Sequence, residues 1–448
     1  MLITIKKGLD IPIEGLPEQT ISDGPTPSTV AAVASDVSGI RPRMAVQVGD
    51  RVRLGQALYR DKRNPEVPFT APGAGEVIEI NRGSRRALQS VVIRLDGDDA
   101  EEFKSYPADA LAGIDRQEVR DNLIASGQWT MFRTRPFSRI PAPDATPAAI
   151  FVTAIDTRPL AANPAVIVDQ DPVAFRNGLQ VLSRLTDGPV YICTAPDSGI
   201  DCPDNEPFRH VEFAGPHPAG LPGTHIHFLE PVSLAKSVWH LGYQHVMGIG
   251  KLFTRGRLPT ERVVALAGPM ALKPRLLRTR IGASTAELLQ GETKPGQLRV
   301  ISGSVLAGHR AAGPLAYLGR YETQVAVLTE GSEREFLSFV WPGTTKYSAI
   351  RAFAGHLFHR SPFAMTTTQN GSPRAMVSIG TFERIMPLDM LATPLLKSLV
   401  VQDTDRAQTL GCLELAEEDL ALCSFVCNGK HEYGAYLRMN LDEIEANG

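Results

Sequence analysis

The first hundred positions alternate. Apolar residues at Val46, Val48, Val52, Leu54 and Leu58, and again through EVIEI (76–80) and SVVIRL (90–95), recur at every second place between Gly, Asn and Asp turns. That is the period of half-buried strands. An acidic turn, LDGDDAEEF, closes this stretch near residue 100. The period then lengthens. Asp115 is a candidate N-cap with Glu118 completing a capping box, Val119 and Leu123 share a face, and Gly127 stops the helix. From 148 to 260 strands and helices alternate. AIFVTAI (149–155), VYIC (190–193) and HIHFL (225–229) read as strands, and PVAFRNGLQVLSRL (172–185) and VSLAKSVWHLGYQ (232–244) as helices. Such alternation predicts a mostly parallel sheet with helices on its faces. RVVALAG and LRVISGSVLAG then flank a short helix near STAELLQ, with Ser284 and Glu287 as a second capping box. LLKSLVV (395–401) and EEDLALCSFVC (417–427) are the clearest later helices. The pattern divides the chain into a β-rich part (1–100), an α/β part (101–260), a small α+β module (261–330) and a mainly helical part (331–448).

Composition narrows the function classes. The chain has 448 residues, 43% hydrophobic and 21% charged, with a net charge of −3. It can build ordinary globular cores, and it carries no basic footprint for nucleic acid. The opening MLITIKKGLD has no apolar signal core, so secretion is not expected. No run approaches the length of a membrane-spanning helix. Five cysteines, an odd number in a chain too long to need staples, point to a reducing compartment.

The stretch VGDRVRLGQALYRDKRNPEVPFTAPGAGEV (48–77) has the pattern of a lipoyl or biotinyl hammerhead. Gly49, Asp50, Val52, Gly55, Gln56 and Leu58 match its first half, and Ala71, Pro72, Gly75 and Val77 its second. Lys62 falls between them, where such domains carry a covalent cofactor. Its hairpin, DKRNPEVP, has two prolines and lacks the small or Met neighbours that modifying ligases read. Lys62 is therefore expected to be a plain solvated lysine.

Several longer stretches, in this order, resemble one family. They are KKGLDIPI, VGDRV with TAPGAGEV, RGSRRALQSVVI, RTRPFSRIP, FVTAIDTRPLAANP, GPHPAGLPGTHIHFL, RVISGSVLAG, NGSPRAMVSIGTFERIMPLDM and LGCLELAEEDLALCSFVCNGKHEYG. They span nearly the whole chain and are similar to the A-subunit family of the sodium-translocating NADH:quinone oxidoreductases (Na+-NQR). The C-subunit of the Rnf complex and the NADH-binding flavoprotein of complex I are more distantly similar. The resemblance implies a barrel-sandwich-hybrid N-terminal region, a Rossmann-like α/β domain, a β-grasp module of the soluble-ligand-binding (SLBB) type and a helical C-terminal region with a degenerate ferredoxin-like tail. It also implies a peripheral subunit on the cytoplasmic face of the bacterial inner membrane, touching the membrane only through five partner subunits. The complex oxidises NADH, reduces ubiquinone and exports Na+. Its flavins and iron–sulfur centres lie on other subunits, so neither FMN, nor an iron–sulfur cluster, nor a covalent group is expected here, and the isolated chain is not expected to be catalytic.

The candidate chemistry is sparse. The complex I flavoprotein has a Gly-rich flavin loop; at Ser126–Ser138 only Ser126-Gly127 is kept, and Met131, Phe132, Arg133 and Pro136 would obstruct the cradle. The replacement sets Trp129, Phe132 and Phe137 among Arg133, Arg135 and Arg139. Flat apolar rings and donors suit a quinone, so Trp129, Phe132, Arg133, Arg135 and Phe137 are quinone candidates. Set against this, the rings are core and the arginines face solvent or a partner. GIGKLFTRG (248–256) lacks the residues of a dinucleotide fingerprint. His225 and His227 would share a face of a strand, with His217 as a third metal ligand, but no carboxylate or cysteine stands at zinc spacing, and His210 is isolated. Cys423 and Cys427 keep only the last C-x3-C of a ferredoxin run, with Cys412 upstream, and are read as packing residues. Three functions stay open: a docking subunit, a quinone-binding participant and a stand-alone flavin or iron–sulfur protein.

Overall fold

Alternation becomes a sandwich. The computed structural model describes residues 1–332, 343, 347–349 and 362–447. In it Thr29–Val33, Leu88–Leu95, Gly75–Arg82 and Arg51–Val52 form one sheet, and Pro42–Met44, Ala57–Asp61 and Asn64–Thr70 another. Val30, Val52, Leu58, Tyr59, Phe69, Val77, Val91 and Ile93 fill a shared core. Two early strands leave this unit. Leu2–Thr4 pairs in parallel with Glu212–Ala214, and Glu18–Asp23 runs parallel to Arg275–Arg278, so the N-terminus stitches the sandwich to the two parts that follow.

The α/β part holds a six-stranded sheet in the order Leu2–Thr4, Phe208–Ala214, Val190–Thr194, Ile150–Ala154, Val238–Gly242 and Arg133–Arg135. All pairs are parallel except the last. Ile150, Val152 and Ala154 enter one core and Phe151 the opposite one, as a sheet covered on both faces requires. The helices Pro172–Leu182 and Tyr243–Arg255 pack on one face. Their contact depends on glycine: a Cβ on Gly178 would lie 2.0 Å from Val246 O, and one on Gly250 would lie 2.0 Å from Ala174 O.

Two expected elements exchange identity here. HIHFL is not a strand but the end of the helix Pro222–Leu229, which Pro222 starts with its pre-set φ. The helix expected over 232–244 is instead the strand Val238–Gly242 followed by the helix Tyr243–Arg255. A strand buried on both faces shows a short continuous apolar run, and periodicity alone does not separate that from a helix. GIGKLFTRG accordingly lies within and just beyond a helix.

The third module is a six-stranded sheet in the order His309–Arg310, Leu298–Ser302, Gln324–Thr329, Glu261–Ala267, Arg275–Arg280 and Glu18–Asp23. Ser284 caps its short helix Thr285–Leu288, but the second half of the expected box is absent. The Glu287 carboxylate turns instead to Ser28 and Thr29 of the sandwich. Asp115 likewise caps Arg116–Ala125 by accepting from Gln117 N at 2.8 Å, while Glu118 reaches Lys104 Nζ at 3.4 Å. The C-terminal part contains helices Thr381–Ile385, Ala392–Val401, Thr404–Thr409, Ala421–Val426 and Tyr433–Asn447. Leu395, Leu396, Leu399, Leu420, Leu437 and Leu441 share their core. Among the described residues no helix is long and apolar enough to cross a membrane.

Candidate functional site

The segment from Ser126 to Arg139 is where the four parts meet. Gly127 has φ +74, and a Cβ there would lie 2.6 Å from Thr70 Oγ1 of the sandwich, so the turn needs glycine on both counts. Thr70 Oγ1 donates to Ser126 O at 3.1 Å. Beyond the turn, Trp129, Phe132 and Trp239 form a buried aromatic cluster. The Trp129–Trp239 centroids are 5.3 Å apart at 79°, and Phe132–Trp239 are 5.4 Å apart. Trp129 Nε1 donates to Pro141 O at 2.9 Å, so the indole's polar atom is satisfied inside the core.

The arginines are engaged as fully. The Arg133 guanidinium lies 3.8 Å over the Tyr321 ring, a cation–π contact, and Tyr321 Oη donates to Thr130 O at 2.8 Å. Arg135 is wholly buried. Its Nη1 is 2.8 Å from His240 Nε2, and its Nη2 is 3.4 Å from Asp419 and 3.5 Å from Glu418. Arg139 forks onto Asp442 and Glu445, both at 2.6 Å, and donates to Ser38 O. Arg438 donates to Phe137 O at 2.8 Å. Of the five quinone candidates, Trp129, Phe132 and Arg135 are enclosed, and Arg133 and Phe137 keep partial exposure.

Around this segment charged groups from all four parts gather into a cluster. Asp36 comes from the sandwich, Arg133 and Arg158 from the α/β part, Glu322 from the third module, and Glu418 and Asp419 from the C-terminal helices. Arg158 is held by Asp156 at 2.6 Å. Arg320 N donates to Asp36 Oδ2 at 2.6 Å. Burial pushes Glu322 up to about 7, with Arg158 opposing it, and pushes Asp419 up to about 6 against the pull of Arg135. Asp36 is raised for the same reason. Glu322 and Asp419 are thus carboxyls that burial holds toward neutrality. Glu418 and Asp419 are neighbours in the sequence, and only the tertiary contacts bring the other charges to them.

The remaining candidates are scattered. His225 Nε2 is 3.0 Å from Ala219 O, and burial holds the ring down to about 3. His227 belongs to a different neighbourhood: its Nδ1 pairs with Glu414 at 2.7 Å and its Nε2 accepts from Asp389 N at 3.0 Å. His217 Nδ1 is 3.2 Å from Thr157 Oγ1, and burial lowers it to about 4. His210 Nε2 meets Thr194 Oγ1 at 2.8 Å. The strand that would have aligned His225 and His227 on one face is a helix, which separates them by about 200°. Among the described residues no group of three or more His, Cys, Asp or Glu is placed to hold a metal ion.

All five cysteines are free thiols. Cys412, Cys423 and Cys427 are buried in the helical core, and Cys427 Sγ lies 3.2 Å from Tyr433 Oη. Burial pushes Cys412 and Cys423 up to about 12. Lys62 is exposed at the tip of a hairpin whose register pairs Asp61 with Asn64. That is the place a hammerhead would use.

Comparison with known proteins agrees with this architecture. Residues 3–96 match the family described as NqrA N-terminal barrel-sandwich hybrid domain, residues 114–258 the NqrA second alpha/beta domain, and residues 263–313 the NQRA C-terminal domain. The chain is similar to proteins named as the A-subunit of the Na(+)-translocating NADH-quinone reductase. It is 57% identical to that of Pseudomonas aeruginosa (strain UCBPP-PA14) over 450 residues, 56% to that of Shewanella amazonensis over 447 and 55% to that of Yersinia pseudotuberculosis serotype I over 447, each covering 100% of both chains. A chain of an NAD+-reducing [NiFe]-hydrogenase overlaps 50% of this chain and 49% of its own, at 12% identity and a TM-score of 0.35.

Proposed function

The chain belongs to the A-subunit family of the Na(+)-translocating NADH-quinone reductases, and we propose that it serves that complex as a peripheral docking subunit on the cytoplasmic side of the membrane. As a member of that family it is part of an oxidoreductase whose substrate is quinone. The observation that supports a docking role is the fate of residues 126–139. Their rings and arginines, the groups a quinone would need, are spent on joining the four parts of the chain to one another. On this reading the five partner subunits carry the flavins and iron–sulfur centres, pass electrons from NADH to ubiquinone and export Na+. The chain reaches the membrane through them and carries no cofactor of its own.

A second reading has quinone resting on this chain. Its support is the partial exposure of Arg133 and Phe137. The two readings separate experimentally. A tagged chain pulled from native membranes in mild detergent should bring flavin- and iron–sulfur-bearing membrane subunits with it; recovery of the chain alone would sink the docking role. A short-chain ubiquinone should leave the tryptophan fluorescence of the purified chain unchanged. Quenching that Phe137→Ala diminishes would favour the second reading.

A further inference from the structure

Between the α/β part and the third module lies a cavity of about 280 Å3. One wall is a stripe of the helix Tyr243–Arg255, on which Gln244, Gly248, Lys251 and Arg255 recur at helical spacing. The strands Glu261–Ala267 and Arg275–Arg280 supply Arg262 and Arg278 opposite. Four cations line the cavity against two lining carboxylates, Asp171 and Glu261, and Arg278 also pairs with Asp23 at 3.3 Å, which leaves a surplus of one positive charge. The acids are already in use. Asp171 is 3.5 Å from Lys251 and 3.9 Å from Arg255, and Glu261 is 3.5 Å from Arg278.

Arg262 pairs with no acid among the described residues. It is 3% exposed, and its Nη2 meets only uncharged acceptors, His245 Nε2 at 2.9 Å and Arg320 O at 3.3 Å. Its Nη1 is buried and has no hydrogen-bond partner among the described residues. Burial lowers this guanidinium to about 10 and keeps His245 neutral, well below the usual imidazole range. A buried cation without a counter-charge opposes folding, and an apolar side chain of the same size would serve packing better. His245 and Arg320 take the Nη2 hydrogens, which leaves Nη1 as the unpartnered charged donor for an oxyanion.

We infer that this cavity binds a small ligand bearing an oxyanion group, a phosphate ester or a dicarboxylate, whose charge completes Arg262. The site lies apart from residues 133–139 and does not depend on the docking role proposed above. Lys251, Arg255 and Arg278 add a positive field that draws the anion in. Gly248 keeps the wall open: a Cβ there would meet only Pro259 Cγ, at 3.5 Å.

The test is thermal melting of the full chain in rising inorganic phosphate, with ionic strength held constant by NaCl and a parallel series in succinate. The wild type should show a saturable rise in Tm of several degrees. Arg262→Met should melt no lower than wild type without phosphate and should weaken the apparent affinity about ten-fold, the loss of a charge-assisted contact. Gly248→Leu, which fills the cavity, should keep the fold and lose the rise. A rise with phosphate alone assigns the site to phosphate, and an equal rise with succinate assigns it to oxyanions generally. No rise in the wild type, or a rise that survives both variants, overturns the site. If Arg262→Met does not fold, Gly248→Leu and Arg278→Gln decide, and a rise undiminished in both overturns it.

Discussion

Arg135 of the α/β part and Asp419 of the C-terminal helices stand 3.4 Å apart with both side chains buried. Asp419 Oδ2 also accepts from Ala416 N at 2.8 Å, and Arg135 Nη1 is held 2.8 Å from His240 Nε2. The pair therefore fixes a helix start on one side and a sheet edge on the other. Removing Arg135 leaves Asp419 buried without its cation, so Arg135→Met should cost about 3–5 kcal/mol, whereas loss of the Asp419 charge leaves Arg135 still beside Glu418 at 3.5 Å. Asp419→Asn keeps an oxygen for Ala416 N and should cost less, about 1–3 kcal/mol. Urea unfolding of both variants checks the order; a smaller loss in Arg135→Met would mean the pair does not weld the two parts.

The two glycines of GIG answer differently to the same change. Gly250 lies against the neighbouring helix with Ala174 O where its Cβ would be, whereas a Cβ on Gly248 would make only an ordinary contact with Pro259 Cγ at 3.5 Å. Gly250→Ala should lose about 1–3 kcal/mol through overpacking. Gly248→Ala should gain up to about 1 kcal/mol from helix propensity. Thermal melts of the two variants separate these effects, and equal shifts would refute the close helix contact.

Local signals carry most of the architecture. The caps at Asp115 and Ser284 and the stop at Gly127 are formed, and strands stand over EVIEI and SVVIRL, but the alternation itself is broken: Val48 is exposed outside any strand, and Val91, Val92 and Ile93 are buried in succession. Periodicity fails where a segment is buried on every side. Val238–Gly242 is flanked by strands on both edges and covered on both faces, so its apolar run holds no period to read. Trp239 is thus hidden in the sequence as the partner of Trp129 and Phe132. The charged cluster is hidden for another reason. Asp36, Glu322 and Glu418 carry no motif, and nothing in spacing relates residues from different parts of the fold. The same holds for Arg262, whose Nη1 is seen to lack a hydrogen-bond partner among the described residues only once its neighbours are placed.

Lys62 sits where a hammerhead presents its modified lysine, on a hairpin tip open to solvent. Access is therefore no obstacle, and the flanking residues decide. The chain from its native membranes should have the mass of unmodified lysine at this position. Lys62→Ala should change stability by no more than about 0.5 kcal/mol, as for an exposed charge with no packing role. A mass increment of lipoate or biotin on the peptide containing Lys62 would reverse this expectation.

Glu322 makes the junction sensitive to pH, and the sign follows from its environment. Burial is the largest cause of its rise, from an ordinary 4.5 up to about 7, and Arg158 only partly offsets it. Between those values the folded chain holds a proton that the unfolded chain has released. Stability contributed by this group is therefore present below about 4.5, falls as pH rises through the window, and levels off above about 7. Each pH unit between the two values corresponds to about 1.4 kcal/mol. The partial exposure of Glu322 to water reduces the total, so about 1–3 kcal/mol is expected. Glu322→Gln does not titrate. Its stability relative to wild type should rise by that amount between about pH 4.5 and about pH 8, read from urea unfolding across the range. If the difference between the two chains stays constant with pH, Glu322 ionises as an ordinary surface carboxyl, and the charged cluster does not couple the four parts to protonation.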